Sequence, residues 1–170
     1  NAKNIVDEME DCIKKYNVKE IMFYDDIMTL KKQRMLDICN EITKRKLDIQ
    51  WEAPTRADCV DEGLIKKMAS AGCGRINYGI ESGDINILQG INRFIPIKQI
   101  KNAVKWTKES KIKALGFFMI GCPNETHESI RNTMKLIKEL DLDYLHLSKV
   151  CPIPGSEIYE NMVKETGYDF

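Results

Sequence analysis

The sequence predicts an α/β fold built on a parallel sheet of about five strands. Two observations predict it. Five short runs rich in β-branched and aromatic residues recur along the chain, and an amphipathic stretch with helical spacing precedes the first and follows each of them. Strict alternation of this kind gives parallel strands joined by right-handed crossovers. The centres of the runs lie roughly 27 to 39 residues apart, about one strand-helix unit. Periodicity leaves open whether the sheet is open and doubly wound or curved into a barrel or part of one.

The opening helix carries Ile5, Met9, Cys12, Ile13 and Tyr16 on one stripe. The first strand, Ile21 to Tyr24, ends in Asp25-Asp26. Met35, Ile38, Cys39 and Ile42 mark the second helix, and Leu47 to Trp51 form the second strand, ending near Ala53-Pro54-Thr55-Arg56-Ala57-Asp58. Leu64, Ile65 and Met68 form a third helical stripe, with Gly72 where a left-handed stop is wanted. Ile76 to Ile80 is the third strand and runs into Glu81-Ser82-Gly83. Pro96 opens the next helix, whose stripe is Ile97, Ile100 and Val104. Leu115 to Ile120 is the fourth strand. Thr126 is the N-cap of a helix carrying Ile130, Met134 and Ile137, with Glu128 near the positive end of its dipole. Tyr144 to Leu147 is the fifth strand, and a last helix from Ser156 to Glu165 stops at Gly167.

Composition bounds the function. The 170 residues, 43% hydrophobic and 31% charged, suit one domain over residues 1–170 with a sizeable core. Lysine plus arginine equals aspartate plus glutamate, 26 each, which argues against nucleic acid as a default partner. The apolar stretch Ala114 to Gly121 is far short of the roughly 20 residues a bilayer span needs. Asn1 to Tyr16 has no apolar signal-peptide core. Six cysteines, at 12, 39, 59, 73, 122 and 151, form no C-x-x-C pair, so the thiols suit a reducing cytoplasm rather than a metal site or disulfides. Two histidines without paired spacing argue against a zinc hydrolase. The absence of an initiator methionine, with Asn1-Ala2 resembling a cloning scar, suggests a segment excised from a longer chain.

In parallel α/β sheets ligands bind at the C-terminal ends of the strands. Asp25, Asp26, Arg56, Glu81 and Glu125 all fall there, a rim suited to a polar zwitterion. Each also has a plainer role. Asp25 and Asp26 fit turn or cap positions. Arg56 has Asp58 as a neighbour to pair with. Glu125 suits a helix start. Glu81, a carboxylate directly after an apolar strand, needs a partner and is the hardest to explain as scaffold.

Five segments together resemble the radical S-adenosylmethionine enzymes, in particular the class that often carries an upstream cobalamin-binding domain. They are Ile21-Met-Phe-Tyr-Asp-Asp-Ile-Met-Thr29, Arg56-Ala-Asp58, Ala71 to Gly83 ending in G-I-E-S-G, Gly116 to Thr126 ending in G-C-P-N-E-T, and Pro152-Ile-Pro-Gly-Ser156. The resemblance implies a partial (βα)6 TIM-like barrel lacking its first strand, with this chain as the C-terminal portion of the core. It implies a 4Fe-4S cluster on a C-x-x-x-C-x-x-C motif, S-adenosylmethionine cleaved reductively to a 5′-deoxyadenosyl radical, and methylation or cyclisation of a small-molecule substrate. Cobalamin is a further candidate cofactor. Carried over residue by residue, Asp25 and Asp26 would hold the cofactor amine, and Glu81 its ribose or methionine end. Arg56 would meet the carboxylate or orient Glu81. Ile120 would lie against the adenine, and the backbone from Ser148 to Val150 would face the adenine edge.

The three-cysteine motif is absent from this sequence. The resemblance places that motif ahead of the opening helix, so the chain by itself is expected to hold no cluster and to be inactive. A sheet edge left open by a missing first strand is expected to promote self-association. The competing reading is a non-catalytic α/β ligand-binding or interaction module on a degenerate scaffold of the same kind.

Overall fold

Alternation along each strand sorts side chains onto two faces, and the sequence makes those faces unlike. Trp51, Ala53, Ile76, Tyr78, Ala114 and Phe118 are fully buried on one face, among helix residues such as Ile38, Leu64, Ile65, Met68 and Ala103. Glu52, Arg75, Asn77, Gly79 and Phe117 take the other parity. The computed structural model describes residues 1–167.

The elements follow in order: α1 (Ala2–Tyr16), β1 (Glu20–Met22), α2 (Lys32–Arg45), β2 (Gln50–Thr55), a 3-10 turn (Ala57–Cys59), α3 (Glu62–Ser70), β3 (Cys73–Glu81), α4 (Ile85–Gly90), α5 (Ile97–Glu109), β4 (Lys113–Ile120), α6 (His127–Glu139), β5 (Tyr144–Lys149) and α7 (Glu157–Thr166). The five strands are all parallel, lie in the order β1-β2-β3-β4-β5, and curl into a half-barrel. The open choice between a flat and a curved sheet is thereby settled for the partial barrel. Helices cover the outer, apolar face, and the inner face carries the polar Glu52, Arg75 and Asn77 beside apolar residues of β4. The described residues contain no helix long and apolar enough to cross a membrane.

The expected helix signals operate. Thr126 caps α6 by accepting from the Ser129 amide, and Ser129 returns the contact in a capping box. Gly72 and Gly167 take left-handed φ values of 89° and 71° just beyond α3 and α7. The indole N–H of buried Trp51 donates to the Ala71 carbonyl at 2.7 Å, tying β2 to the end of α3.

Several boundaries differ from the sequence expectation, those of β1 and β2 with consequences for the site. β1 stops at Met22, so Phe23 and Tyr24 already belong to the loop. β2 starts three residues later than Leu47 and runs through Pro54. The carbonyl of Pro54 accepts from the Met28 amide at 3.0 Å, on the side where β1 has already ended. A strand residue directs its N–H and C=O to the same side, so the proline's missing N–H breaks no strand ladder. The short α4 has no counterpart in the sequence reading, because six residues are too few to show a stripe.

Candidate functional site

Because β1 is so short, residues 23 to 31 cross the C-terminal end of the sheet as a loop. Three hydrogen bonds hold that loop to β2: the Phe23 amide on the Glu52 carbonyl, the Met28 amide on the Pro54 carbonyl, and the Thr29 hydroxyl with the buried Thr55 hydroxyl. They fix Asp26 at the rim of a cavity of about 470 Å³, on the mouth of the half-barrel. Asp26, Arg56 and Glu81 all line this one cavity, with Asn77 and Arg93 beside them. Phe117 and Met119 of β4 form an apolar wall, and Ser148 of β5 completes the far side.

Glu81 is the most constrained of these residues. Its φ is 68°, in the left-handed region that a residue with a side chain enters at a cost. The β3–β4 ladder shifts register between Gly79 and Glu81, and this irregularity swings the carboxylate into the cavity. The side chain is only 13% exposed, and Oε1 accepts from Nη2 of Arg93 at 3.2 Å. Burial pushes the Glu81 carboxyl above its ordinary value, and the Arg93 guanidinium opposes part of that rise.

The residues around Glu81 divide the labour. A Cβ on Gly79 would lie 2.9 Å from Glu81 Oε1, so the bare backbone there makes room for the carboxylate. Ile80 points into the core. Ser82 is fully buried and its hydroxyl meets that of Thr133 at 3.0 Å, while the Gly83 amide donates to the same Thr133 oxygen at 2.9 Å. A Cβ on Gly83 would lie 2.7 Å from the Asn132 carbonyl oxygen, so this glycine lets α6 approach. The stretch G-I-E-S-G therefore aims one carboxylate and locks the strand end to a helix.

Arg56 borders the cavity but is engaged elsewhere. Its Nε and Nη2 donate to both oxygens of Asp58, at 2.9 and 2.7 Å, and this fork holds the Asp58 carboxyl below its ordinary value. The guanidinium that meets Glu81 is that of Arg93. Asp25 turns away from the cavity and pairs with Arg34 at 3.3 Å. Ile120 takes the parity of buried Phe118 rather than that of Phe117 and Met119, and its carbonyl accepts from the Val150 amide at 2.8 Å. Glu125 accepts from the Gly121 amide at 2.5 Å and so closes the loop ahead of α6.

Sequence reasoning passed over Arg93, Asn77, Phe117 and Met119. The last three carry a usable signal, since Asn77 is four residues before Glu81 on the same strand and Phe117 and Met119 alternate along β4. Arg93 carries none, because it sits in an aperiodic loop after α4.

The donor set suits a zwitterionic nucleoside: carboxylates from Asp26 and Glu81, a guanidinium from Arg93, and an apolar wall. It does not suit an iron–sulfur cluster. No group of three histidine, cysteine or acidic side chains among the described residues is placed to hold a metal. Cluster ligands are thiolates, yet burial pushes the thiols of Cys39, Cys59, Cys73 and Cys122 up, that of Cys39 to about 12.

Residues 1–137 match the sequence profile of the Radical SAM superfamily. An uncharacterized methyltransferase of Pyrococcus horikoshii is 38% identical over 160 residues, covering 94% of this chain and 35% of that protein. The anaerobic magnesium-protoporphyrin IX monomethyl ester cyclase of Rubrivivax gelatinosus is 27% identical over 164 residues, covering 95% of this chain and 30% of that protein. The chain thus spans about a third of the length of these relatives. Among solved structures, the radical S-adenosylmethionine methyltransferase TsrM from Kitasatospora setae, with cobalamin and a 4Fe-4S cluster bound, superposes with a TM-score of 0.86 over 96% of this chain and 34% of that one. At 20% identity that likeness is one of fold. The profile covers 137 of 170 residues and the parallel strands curl into a half-barrel, so the chain belongs to the radical S-adenosylmethionine superfamily.

Proposed function

We propose that this chain is the C-terminal portion of a radical S-adenosylmethionine core and supplies the binding cleft for that cofactor in a longer enzyme. The observation that carries the reading is the largely buried, left-handed Glu81 facing Arg93 in the same cavity as Asp26. When bound, S-adenosylmethionine supplies the reactive sulfonium. The chain's own residues bind and orient it. Glu81 and Asp26 accept from its hydroxyls and ammonium, Arg93 faces its carboxylate, and Phe117 and Met119 exclude water along the adenine. Ser148, near the end of β5, lines the far side of the cavity, within the stretch that would face the adenine edge.

The described residues bring no three metal-ligating side chains together, so a 4Fe-4S cluster in the longer enzyme would rest on cysteines outside them. The named relatives support methylation or cyclisation of a small molecule as the reaction class, and the TsrM structure supports cobalamin as a second cofactor to test for. Unpaired thiols in the described residues support a reducing, cytoplasmic setting. The free edge of β1, with Met22 and Tyr24 exposed, supports self-association of the chain when nothing covers that edge.

The test is anaerobic reconstitution of the complete protein with iron and sulfide, followed by assay for reductive cleavage of S-adenosylmethionine. Cleavage that Glu81→Gln abolishes is the expected result. A cluster-loaded protein that neither cleaves S-adenosylmethionine nor binds S-adenosylhomocysteine overturns the reading and favours a non-catalytic module.

A further inference from the structure

Below Glu81, on the inner face of the half-barrel, the buried Glu52 and Asn77 meet the half-buried Arg75 in a polar trio that the reading above does not use. Asn77 is 7% exposed and lines the cavity. Its side-chain oxygen accepts from Nε of Arg75 at 3.2 Å, and its amide nitrogen donates to Oε2 of Glu52 at 3.3 Å. Arg75 also donates to Glu52 and lies over the Tyr144 ring, 5.4 Å from its centroid. The Glu52 side chain is only 5% exposed, so its charge depends on these two partners.

The chemistry of the partners fixes which way the Asn77 amide faces. A guanidinium only donates and a carboxylate only accepts, so the oxygen must turn to Arg75 and the nitrogen to Glu52. One N–H and one lone pair of Asn77 remain unused by the trio. A buried ion pair is a poor way to gain stability, since apolar residues of similar volume do as well or better. What the pair provides that an apolar floor would not is a side-chain amide held in one orientation.

Gly79 stands between Asn77 and Glu81 on the same face and contributes no side chain. At about 3.3 Å per residue, positions 77 and 81 are separated by up to about 13 Å along the strand. Both residues line the one cavity, so a ligand of that length seated on Glu81 and lying along this face would meet Asn77. The group that complements a fixed amide offers both a donor and an acceptor, as the edge of an adenine does.

We propose that Asn77 contacts the nucleoside part of the bound cofactor, and that Glu52 and Arg75 are positioning residues that act through Asn77. The proposal rests on the cofactor reading of the cavity. Its test measures the affinity of the complete protein for S-adenosylhomocysteine and for 5′-methylthioadenosine, which lacks the amino-acid end. Asn77→Ala is expected to weaken both by about three- to tenfold, the worth of one or two net hydrogen bonds. Glu52→Gln and Arg75→Gln are expected to weaken both as well, and to add no further loss in the Asn77→Ala background. A merely structural role would lower the melting temperature and reduce affinity by the same factor in both backgrounds, which overturns the positioning claim. Unchanged affinity in Asn77→Ala, with Glu81→Gln still defective, overturns the contact while leaving the cofactor reading intact. Failure of the unsubstituted protein to bind either nucleoside removes both.

Discussion

The ideal Cβ position of Gly79 lies 2.9 Å from Oε1 of Glu81, and the next atom it would approach is Nη2 of Arg93 at 3.8 Å. Every nearby atom belongs to the end of a side chain. A methyl group at residue 79 therefore displaces the Glu81 carboxylate from Arg93 without pressing on the sheet. Gly79→Ala is expected to keep the fold and its melting temperature within a few degrees, yet to weaken S-adenosylhomocysteine binding at least tenfold. Calorimetric titration beside a thermal melt checks this, and unchanged affinity would show that the carboxylate need not sit where it does.

Gly83, four residues on, should behave in the opposite way. Its added Cβ would meet backbone, lying 2.7 Å from both the Asn132 carbonyl oxygen and the Thr133 Cα. Neither can rotate aside, so α6 must move. Gly83→Ala is expected to cost about 1–3 kcal/mol of stability, as overpacking does. Denaturant titration of the chain measures it. A neutral effect would mean that α6 is not seated against the end of β3 as described.

The buried Glu81 carboxyl carries a pH signature. Its folded-state value is raised above the ordinary 4.5, chiefly by burial. The folded chain thus binds this proton more tightly than the unfolded chain, and stability falls as pH rises from about 4.5 through the folded value. Glu81→Gln removes that loss and still offers Arg93 an acceptor. The variant is therefore expected to be at least as stable as the original at pH 7, with the difference shrinking toward pH 4.5. Melting temperatures across this range decide the matter. A clearly less stable variant at pH 7 would show that the ion pair with Arg93 outweighs the burial of the charge.

Much of this architecture is legible in the sequence, and the failures have physical causes. Helix stops at Gly72 and Gly167 and the Thr126 cap are local events, written in a few adjacent residues. Pro54 misleads because a proline ordinarily excludes a strand; only the early end of β1 leaves its side of β2 without a ladder to break. Leu47 to Ile49 mislead in the other direction, being apolar enough for a strand while serving as its approach. The convergence of Asp26, Arg56 and Glu81 follows from strand order. The pairing of Glu81 with Arg93 rather than Arg56 does not, since it depends on how the loop after α4 folds back and on Asp58 claiming the Arg56 fork. Asp25 and Asp26 are adjacent in sequence, yet one faces the cavity and the other Arg34, a split set by the anchoring of Met28 and Thr29 to β2.

The free edge of β1 yields the last prediction. Among the described residues β1 has a strand on one side only, and beside it Met22 is 48% and Tyr24 89% exposed. An unpaired parallel edge bordered by apolar side chains offers both hydrogen bonds and burial to a second chain. With formal charge balanced at zero, no long-range repulsion keeps copies apart. The chain alone is expected to self-associate, and sedimentation velocity over a concentration series should show mass rising with concentration. Met22→Lys should shift the distribution toward monomer, because a charge on an edge strand must be desolvated before another strand can pair there. A single monomeric species at high concentration in the unsubstituted chain would mean that the loop from residue 23 to 31 already shields this edge in solution.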